Sequence, residues 1–306
     1  MSEVYAVTGA TGNIGKKVAE ALLAKGQKVR AVSRNEKNLK PLIDKGAEAF
    51  VGSVNDAQAM KTAFKGAKAV FTLIPPNPSA QDFRSYQNEV SEVFASAIRG
   101  SKVEFVVNLS SVGAHLGEKV GPIKGLHDNE QRLNQLKGVH IVHLRPAYFL
   151  ENLLYGIGLI KQMGINGSPL RGDLAIPMIA TKDIASAASK LLLDLDFNGT
   201  QTRELLGQRE ITMTEATAVL GKAIGKPELK YAQFPYEDAE KAMTGMGMSK
   251  DVAKGMIELN QAFNEGVLKP AEKRSSKNST PTSIEEFAAV FATVYNAQES
   301  PETVKV

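Results

Sequence analysis

One stretch constrains this chain more than any other: Tyr5-Ala6-Val7-Thr8-Gly9-Ala10-Thr11-Gly12-Asn13-Ile14-Gly15. An apolar strand runs into three glycines spaced G-x-x-G-x-x-G. A helical pattern follows at once, with Val18, Leu22 and Leu23 on one face and Lys16, Lys17 and Glu20 on the other. In such a turn Gly9 permits the sharp bend and Gly12 lets a phosphate approach the backbone. Gly15 lets the helix pack close to the strand. Helix N-terminal amides then face negative charge, which the helix dipole favours. The pattern is that of a dinucleotide-binding turn, with Thr11, Asn13 and Ile14 standing beside the glycines at the pyrophosphate.

The second strand, Val29-Arg30-Ala31-Val32-Ser33-Arg34-Asn35, bears on which dinucleotide. A site for NAD places an acid about twenty residues beyond the glycines, to accept hydrogen bonds from the ribose 2′-OH. Here that place holds Asn35, preceded by Arg34, and Glu36 lies past the strand end. A guanidinium suits a 2′-phosphate, which it grips through two parallel hydrogen bonds. Lys37 adds a second positive charge. The expected cofactor is NADPH/NADP rather than NAD.

Strand patterns read at 3–8, 28–33, 48–52, 68–74, 103–109 and 139–144, and helical patterns at 14–25, 36–45, 56–64, 82–99, 125–137 and 150–163. Ala69-Val70-Phe71-Thr72-Leu73-Ile74 and Phe105-Val106-Val107-Asn108-Leu109 are near-continuous apolar runs, as expected of strands buried on both faces. Strict β-α alternation predicts a doubly wound parallel sheet, the Rossmann form of an α/β fold. Beyond residue 165 the order loosens into a smaller C-terminal α/β lid. Its elements are Ile176–Ile179, a helix opening at Thr181, a strand at Arg203–Leu206, a helix opened by a Thr212/Glu215 capping box, helices at 236–244 and 249–265, a loop at 269–282, and a helix at 283–296. The expected division is 1–164 for nucleotide binding and 165–306 for the lid, partly interleaved.

Composition narrows the rest. The 306 residues carry 37 basic and 33 acidic side chains, a net charge of +4, too small to argue for nucleic acid. No cysteine is present, which excludes disulfides, thiolate metal sites and a cysteine nucleophile. No apolar run approaches the roughly 18 residues of a membrane span. No basic segment precedes the first strand, so no signal peptide is expected, and a cytoplasmic location follows by default. His140 and His143 flank a strand without acidic or histidine partners at ligand spacing and read as structural. His115 sits in a glycine-flanked loop, either beside the pocket or merely solvated. No metal site is expected.

Several segments together resemble the NmrA-like group of atypical short-chain dehydrogenases. They are Thr8–Gly15, Asn108-Leu109-Ser110-Ser111, Gly121-Pro122-Ile123-Lys124-Gly125-Leu126-His127, Leu144-Arg145-Pro146-Ala147-Tyr148-Phe149-Leu150-Glu151-Asn152 and Thr181-Lys182-Asp183-Ile184-Ala185. The likeness covers roughly residues 1–265, and the run from Leu144 to Asn152 is its most specific part. The resemblance implies a Rossmann fold and NADP(H), with Ser110 and Pro146 at the nicotinamide end of the site. The group holds NADPH-dependent quinone, azo-dye and triphenylmethane-dye reductases, and also proteins that bind the nucleotide without turnover and sense redox state through a partner.

Short-chain dehydrogenases generally use a Ser, a Tyr and a Lys four residues after the Tyr. None of the seven tyrosines here has a lysine four residues on. Counted at the family's spacing from Ser110, the Tyr and Lys positions fall on Ile123 and His127; counted from Ser111, on Lys124 and Asp128. His127 is then either a proton donor or a solvated helix histidine. Lys124 either holds the ribose hydroxyls or is solvated. Tyr148 and Phe149 either wall the nicotinamide or a flat acceptor, or pack in the core. The expected function is an NADPH-dependent reductase of a small flat electrophile, quinone-like or dye-like, since such acceptors need no dedicated protein acid. The alternative is a non-catalytic NADP(H) sensor acting through a protein partner. An epimerase is disfavoured, because that chemistry needs a strong base. A homodimer or a regulatory partner is compatible with either reading.

Overall fold

The computed structural model describes residues 3–297. The chain begins with β1 (Val4–Val7), α1 (Gly15–Ala24), β2 (Lys28–Ser33), α2 (Lys40–Ile43), β3 (Glu48–Val51), α3 (Ala57–Phe64), β4 (Ala67–Thr72), α4 (Phe83–Arg99), β5 (Phe105–Leu109), α5 (Ile123–Leu133) and β6 (His140–Pro146). There follow β7 (Tyr148–Phe149), α6 (Ile157–Met163), β8 (Ile165–Ser168), β9 (Ile176–Ile179), α7 (Thr181–Asp194), β10 (Thr200–Leu205), β11 (Glu210–Ile211), α8 (Met213–Ala223), β12 (Lys230–Gln233), α9 (Tyr236–Gly245), α10 (Lys250–Asn264) and α11 (Ile284–Ala297).

The large sheet has seven strands in the order β10-β6-β5-β4-β1-β2-β3, and every pair in it is parallel. It is the doubly wound α/β sheet expected from the alternation. One face packs on α1 and α7 through Val18, Leu22, Ile184 and Leu191. The other packs on α3, α4 and α5 through Phe64, Phe94, Ile98 and Leu133. Strand order reverses between β1 and β4, and the carboxyl ends flanking such a reversal form the crevice where α/β sheets bind ligands.

The strand at Arg203–Leu206, expected in the lid, belongs to the large sheet instead. As β10 it pairs with β6 from Thr200↔Ile141 to Leu205↔Pro146. Two buried residues, Glu204 and Leu205, together with that edge outcompete position along the chain. Helix α7 likewise returns to pack beside α1. The lid proper joins α6, α8 and α11 over a third core of Leu150, Ile160, Met213, Leu220, Phe287 and Phe291. It carries two small sheets, β11-β9-β7 and β12-β8. The outer ends of the two expected stretches, 1–2 and 298–306, lie outside the described residues.

Two helical expectations change form. Residues 36–45 split into a 3₁₀ turn, Glu36–Leu39, and the short α2, with Pro41 in its first turn. Residues 150–163 begin as a 3₁₀ segment, Leu150–Gly156, and become α-helical only at Ile157. A Cβ on Gly156 would lie 2.4 Å from Asn166 Oδ1, so close packing against β8 fixes that junction. The capping box forms by half: Thr212 Oγ accepts the Glu215 amide at 3.0 Å, while the Glu215 carboxylate turns to Arg209.

The loop at 269–282 is irregular but pinned. Glu204 accepts the amides of Ala271 and Glu272 at 3.0 and 2.9 Å. Asp183 accepts the amide and hydroxyl of Thr282 at 3.0 and 2.8 Å. His143 is buried between Asn108 and Asn134, and His140 accepts the Gly199 amide, so both are structural. Among the described residues, no helix is long and apolar enough to cross a membrane, and no group of three or more His, Asp or Glu side chains could hold a metal ion.

Candidate cofactor and acceptor site

The turn after β1 shows three glycines with three different reasons. Thr8 ties β1 to β4: its hydroxyl donates to Phe71 O and accepts the Leu73 amide, both at 3.1 Å. Gly9 has φ +62°, and a Cβ there would sit 2.8 Å from Leu73 Cδ2. On Gly15 a Cβ would lie 2.3 Å from Gly9 O and 2.9 Å from Thr8 O. On Gly12 it would meet only Gly9 O, at the ordinary distance of 3.4 Å. Folding therefore explains Gly9 and Gly15 but not Gly12. Thr11, Gly12 and Asn13 are exposed, while Ile14 and Gly15 are buried. Ile14 offers no side-chain cap to α1; the Lys16 amide is taken by Gly12 O at 3.1 Å, and the helix keeps its positive end. A cradle that a side chain on Gly12 would fill, at a bare helix N-terminus, fits a pyrophosphate.

Beyond β2, Arg34 and Lys37 are both exposed. Nearby Lys40 and Lys45 pair with Asp44 and Glu20, but Arg34 and Lys37 pair with no carboxylate among the described residues. Asn35 Oδ1 accepts the Lys37 amide at 2.9 Å and shapes this corner. Tyr86 lies within electrostatic reach of Arg34. Burial pushes its phenol up, the guanidinium opposes that shift, and its hydroxyl donates to Pro75 O at 3.1 Å.

The expected catalytic residues occupy four separate settings. Ser110, at the end of β5, is buried and donates its hydroxyl to Glu130 Oε1 at 2.5 Å. Glu130 is held in a two-pronged pair by Arg145, whose Nε lies 2.9 Å away. The neighbouring Pro146 is buried, and its carbonyl accepts the Val112 amide at 3.0 Å. On α5, His127 Nδ1 lies 2.8 Å from Ala114 O. A carbonyl can only accept, so Nδ1 carries the proton and neutral His127 presents a lone pair on Nε2. Lys124 Nζ donates to Glu258 Oε2 of α10 at 2.8 Å. Tyr148 lies in the lid core, edge-on to Phe263 with ring centroids 6.1 Å apart, and burial raises its phenol above the ordinary range. His115 is exposed.

Sequence reading missed the Glu130–Arg145 pair and the Arg84 fork. Arg84 binds Asp128 through Nε and Nη2 at 2.8 and 3.0 Å and reaches Glu118 at 2.9 Å, holding the Asp128 carboxyl below its usual range. It also missed Glu258. The one sequence signal for these groups is an acid at Glu130 on the same helix face as Ile123 and Leu133.

Residues 1–288 match the NmrA-like family. An NAD(P)H azoreductase of Xenophilus azovorans is 26% identical over 295 residues, covering 95% of this chain and 99% of that one. An Escherichia coli NADPH-dependent quinone oxidoreductase, solved with NADPH, superposes with a TM-score of 0.79 at 23% identity, over 94% of this chain and 99% of that one. NmrA, a negative transcriptional regulator solved with NADP, superposes with a TM-score of 0.72 at 18% identity, over 98% of each chain. With its glycine turn, its seven-stranded doubly wound sheet and a match over nearly its whole length, the chain belongs to the NmrA-like family.

Proposed function

We propose that the protein is an NADPH-dependent reductase of a small flat electrophile, of the quinone or azo class. The carrying observation is the pairing of two unexplained features on one edge of the sheet: a glycine, Gly12, that folding does not require, and two uncommitted cations, Arg34 and Lys37. Likeness to an NAD(P)H azoreductase and a quinone oxidoreductase supports the reductase reading.

When bound, NADPH supplies the hydride. The chain's own residues hold and orient. The first-turn amides of α1, with Gly9, Thr11, Gly12, Asn13, Ile14 and Gly15, form the pyrophosphate seat. Arg34 and Lys37 read the 2′-phosphate, which sets the preference over NAD. Ser110 and Pro146, on adjacent strand ends, bound the nicotinamide side, and the lid built from residues beyond 165 covers the acceptor. His127 donates a proton only as the imidazolium, because its neutral form already donates Nδ1–H to Ala114 O. An acceptor that draws its proton from water suits such a site.

The sensor reading draws on a separate observation. Ser110 is committed to Glu130 and Lys124 to Glu258, leaving few free groups for acid–base work. Steady NADPH oxidation against a panel of quinones and azo dyes tests both. Turnover with a flat acceptor supports the reductase. Micromolar or tighter NADP⁺ binding with no turnover on any acceptor refutes it in favour of the sensor.

A further inference from the structure

Helix α10 lies across the loops that leave β4 and β5; besides its buried Val252, Ala253, Ile257 and Ala262, a few polar and backbone contacts set its position there. Its N-cap, Ser249, donates its amide to Pro78 O at 2.9 Å and its hydroxyl to Ala80 O at 2.5 Å. Asp251 accepts the Phe83 amide, the first of α4, at 2.8 Å. One turn on, Gly255 meets the turn that opens α5. Gly121 there has φ +53°, and a Cβ on it would lie 2.1 Å from Gly255 O. The next turn carries Glu258, which takes the Lys124 ammonium at 2.8 Å; the two side chains are 32% and 23% exposed.

These contacts divide by kind. The hydrogen bonds of Ser249 and Asp251 hold the start of the helix to the β4 loop. The glycine pair lets two backbones approach on the β5 side, but it sets a distance and not a direction. Lys124–Glu258 is the charged, directional contact on that side. It also uses the lysine that family spacing would offer to the ribose.

We propose that Glu258 is a positioning residue: through Lys124 it seats α10 over the acceptor side of the cleft, and Lys124 serves the lid rather than the ribose. The proposal rests on the reductase reading for its kinetic consequence. Its structural consequence, a helix held to α5 by one ion pair, stands without turnover.

The tests are Glu258→Gln and the charge-exchanged pair Lys124→Glu/Glu258→Lys, each compared with the unmodified protein. Three readouts are taken: the acceptor KM and kcat, the NADPH Kd by titration calorimetry, and hydrogen exchange over residues 249–264. For a partly exposed ion pair the loss expected in Glu258→Gln is up to about fivefold. It should appear as a higher acceptor KM and faster exchange in α10, with kcat nearly constant and the NADPH Kd within about twofold. Charge exchange should recover most of both effects. Unchanged exchange in Glu258→Gln overturns the proposal. So does an NADPH Kd that weakens about tenfold while the acceptor KM stays put, since Lys124 would then serve the nucleotide. If the unmodified protein reduces no acceptor, the reductase reading falls by itself, and exchange in the NADPH-bound protein still decides whether Glu258 seats the helix.

Discussion

Gly12 and Gly15 are three residues apart and should fail in opposite ways. In Gly15→Ala the new methyl would stand 2.3 Å from Gly9 O and 2.9 Å from Thr8 O. Those are backbone atoms at the end of a buried strand, so α1 must move off the sheet. Overpacking of this kind costs about 1–3 kcal/mol, and each kcal/mol lowers Tm by about 2–4 °C in a chain of this size. In Gly12→Ala the methyl meets only Gly9 O at 3.4 Å, and Gly12 is not among the glycines with positive φ. Its Tm should stay within about 1–2 °C, on the scale of a neutral surface change. Binding should reverse the order. Losing two amide–phosphate hydrogen bonds, each worth about 1.5–3 kcal/mol to a charged group, weakens NADPH by at least a hundredfold. Calorimetric melting and NADPH titration of both variants decide the matter. A Gly12→Ala protein that melts early, or one that keeps wild-type NADPH affinity, would refute the assignment of that space to a ligand.

Three further outcomes are expected. Arg34→Ala should weaken NADPH by about 1.5–3 kcal/mol and leave NADH nearly unchanged; equal loss for both nucleotides in parallel titrations counts against the 2′-phosphate assignment. Burial between Asn108 and Asn134 holds His143 down at about 4 against an ordinary 6.5. The unfolded chain therefore takes up this proton first, and stability drops by up to about 3 kcal/mol as pH falls from 6.5 to 4. Urea midpoints across that range should show the slope, and His143→Gln should flatten it. His127→Ala should cut turnover of a quinone by no more than about tenfold, below the usual worth of a general acid; complete loss with intact NADPH affinity would show a dedicated proton donor.

What sequence alone determined about this protein is local in origin. The turn at Gly9–Gly15, the absence of an acid after β2, and the apolar runs of β4 and β5 rest on steric, charge and burial rules that act over a few residues. The doubly wound sheet and its strand positions were legible from them. The tertiary structure decided whatever depends on contact between distant segments. Residues 203–206 read as a lid strand because their pattern is short; only the open edge of β6 reveals that the strand, Thr200–Leu205, completes the large sheet. Ser110 reads as a site serine, and Glu130, twenty residues on, accepts its hydroxyl hydrogen bond. Tyr148 reads either as a wall for a flat ring or as core, and only the packing sets it edge-on to Phe263 in the lid. Lys124 reads as a ribose ligand, and its partner is Glu258, 134 residues away. Spacing along a chain reports which residues share a turn of helix or strand. Which side chain takes up a hydroxyl, a ring or an ammonium is settled by the packing of whole layers, where burial makes an unpaired polar group too costly to leave alone.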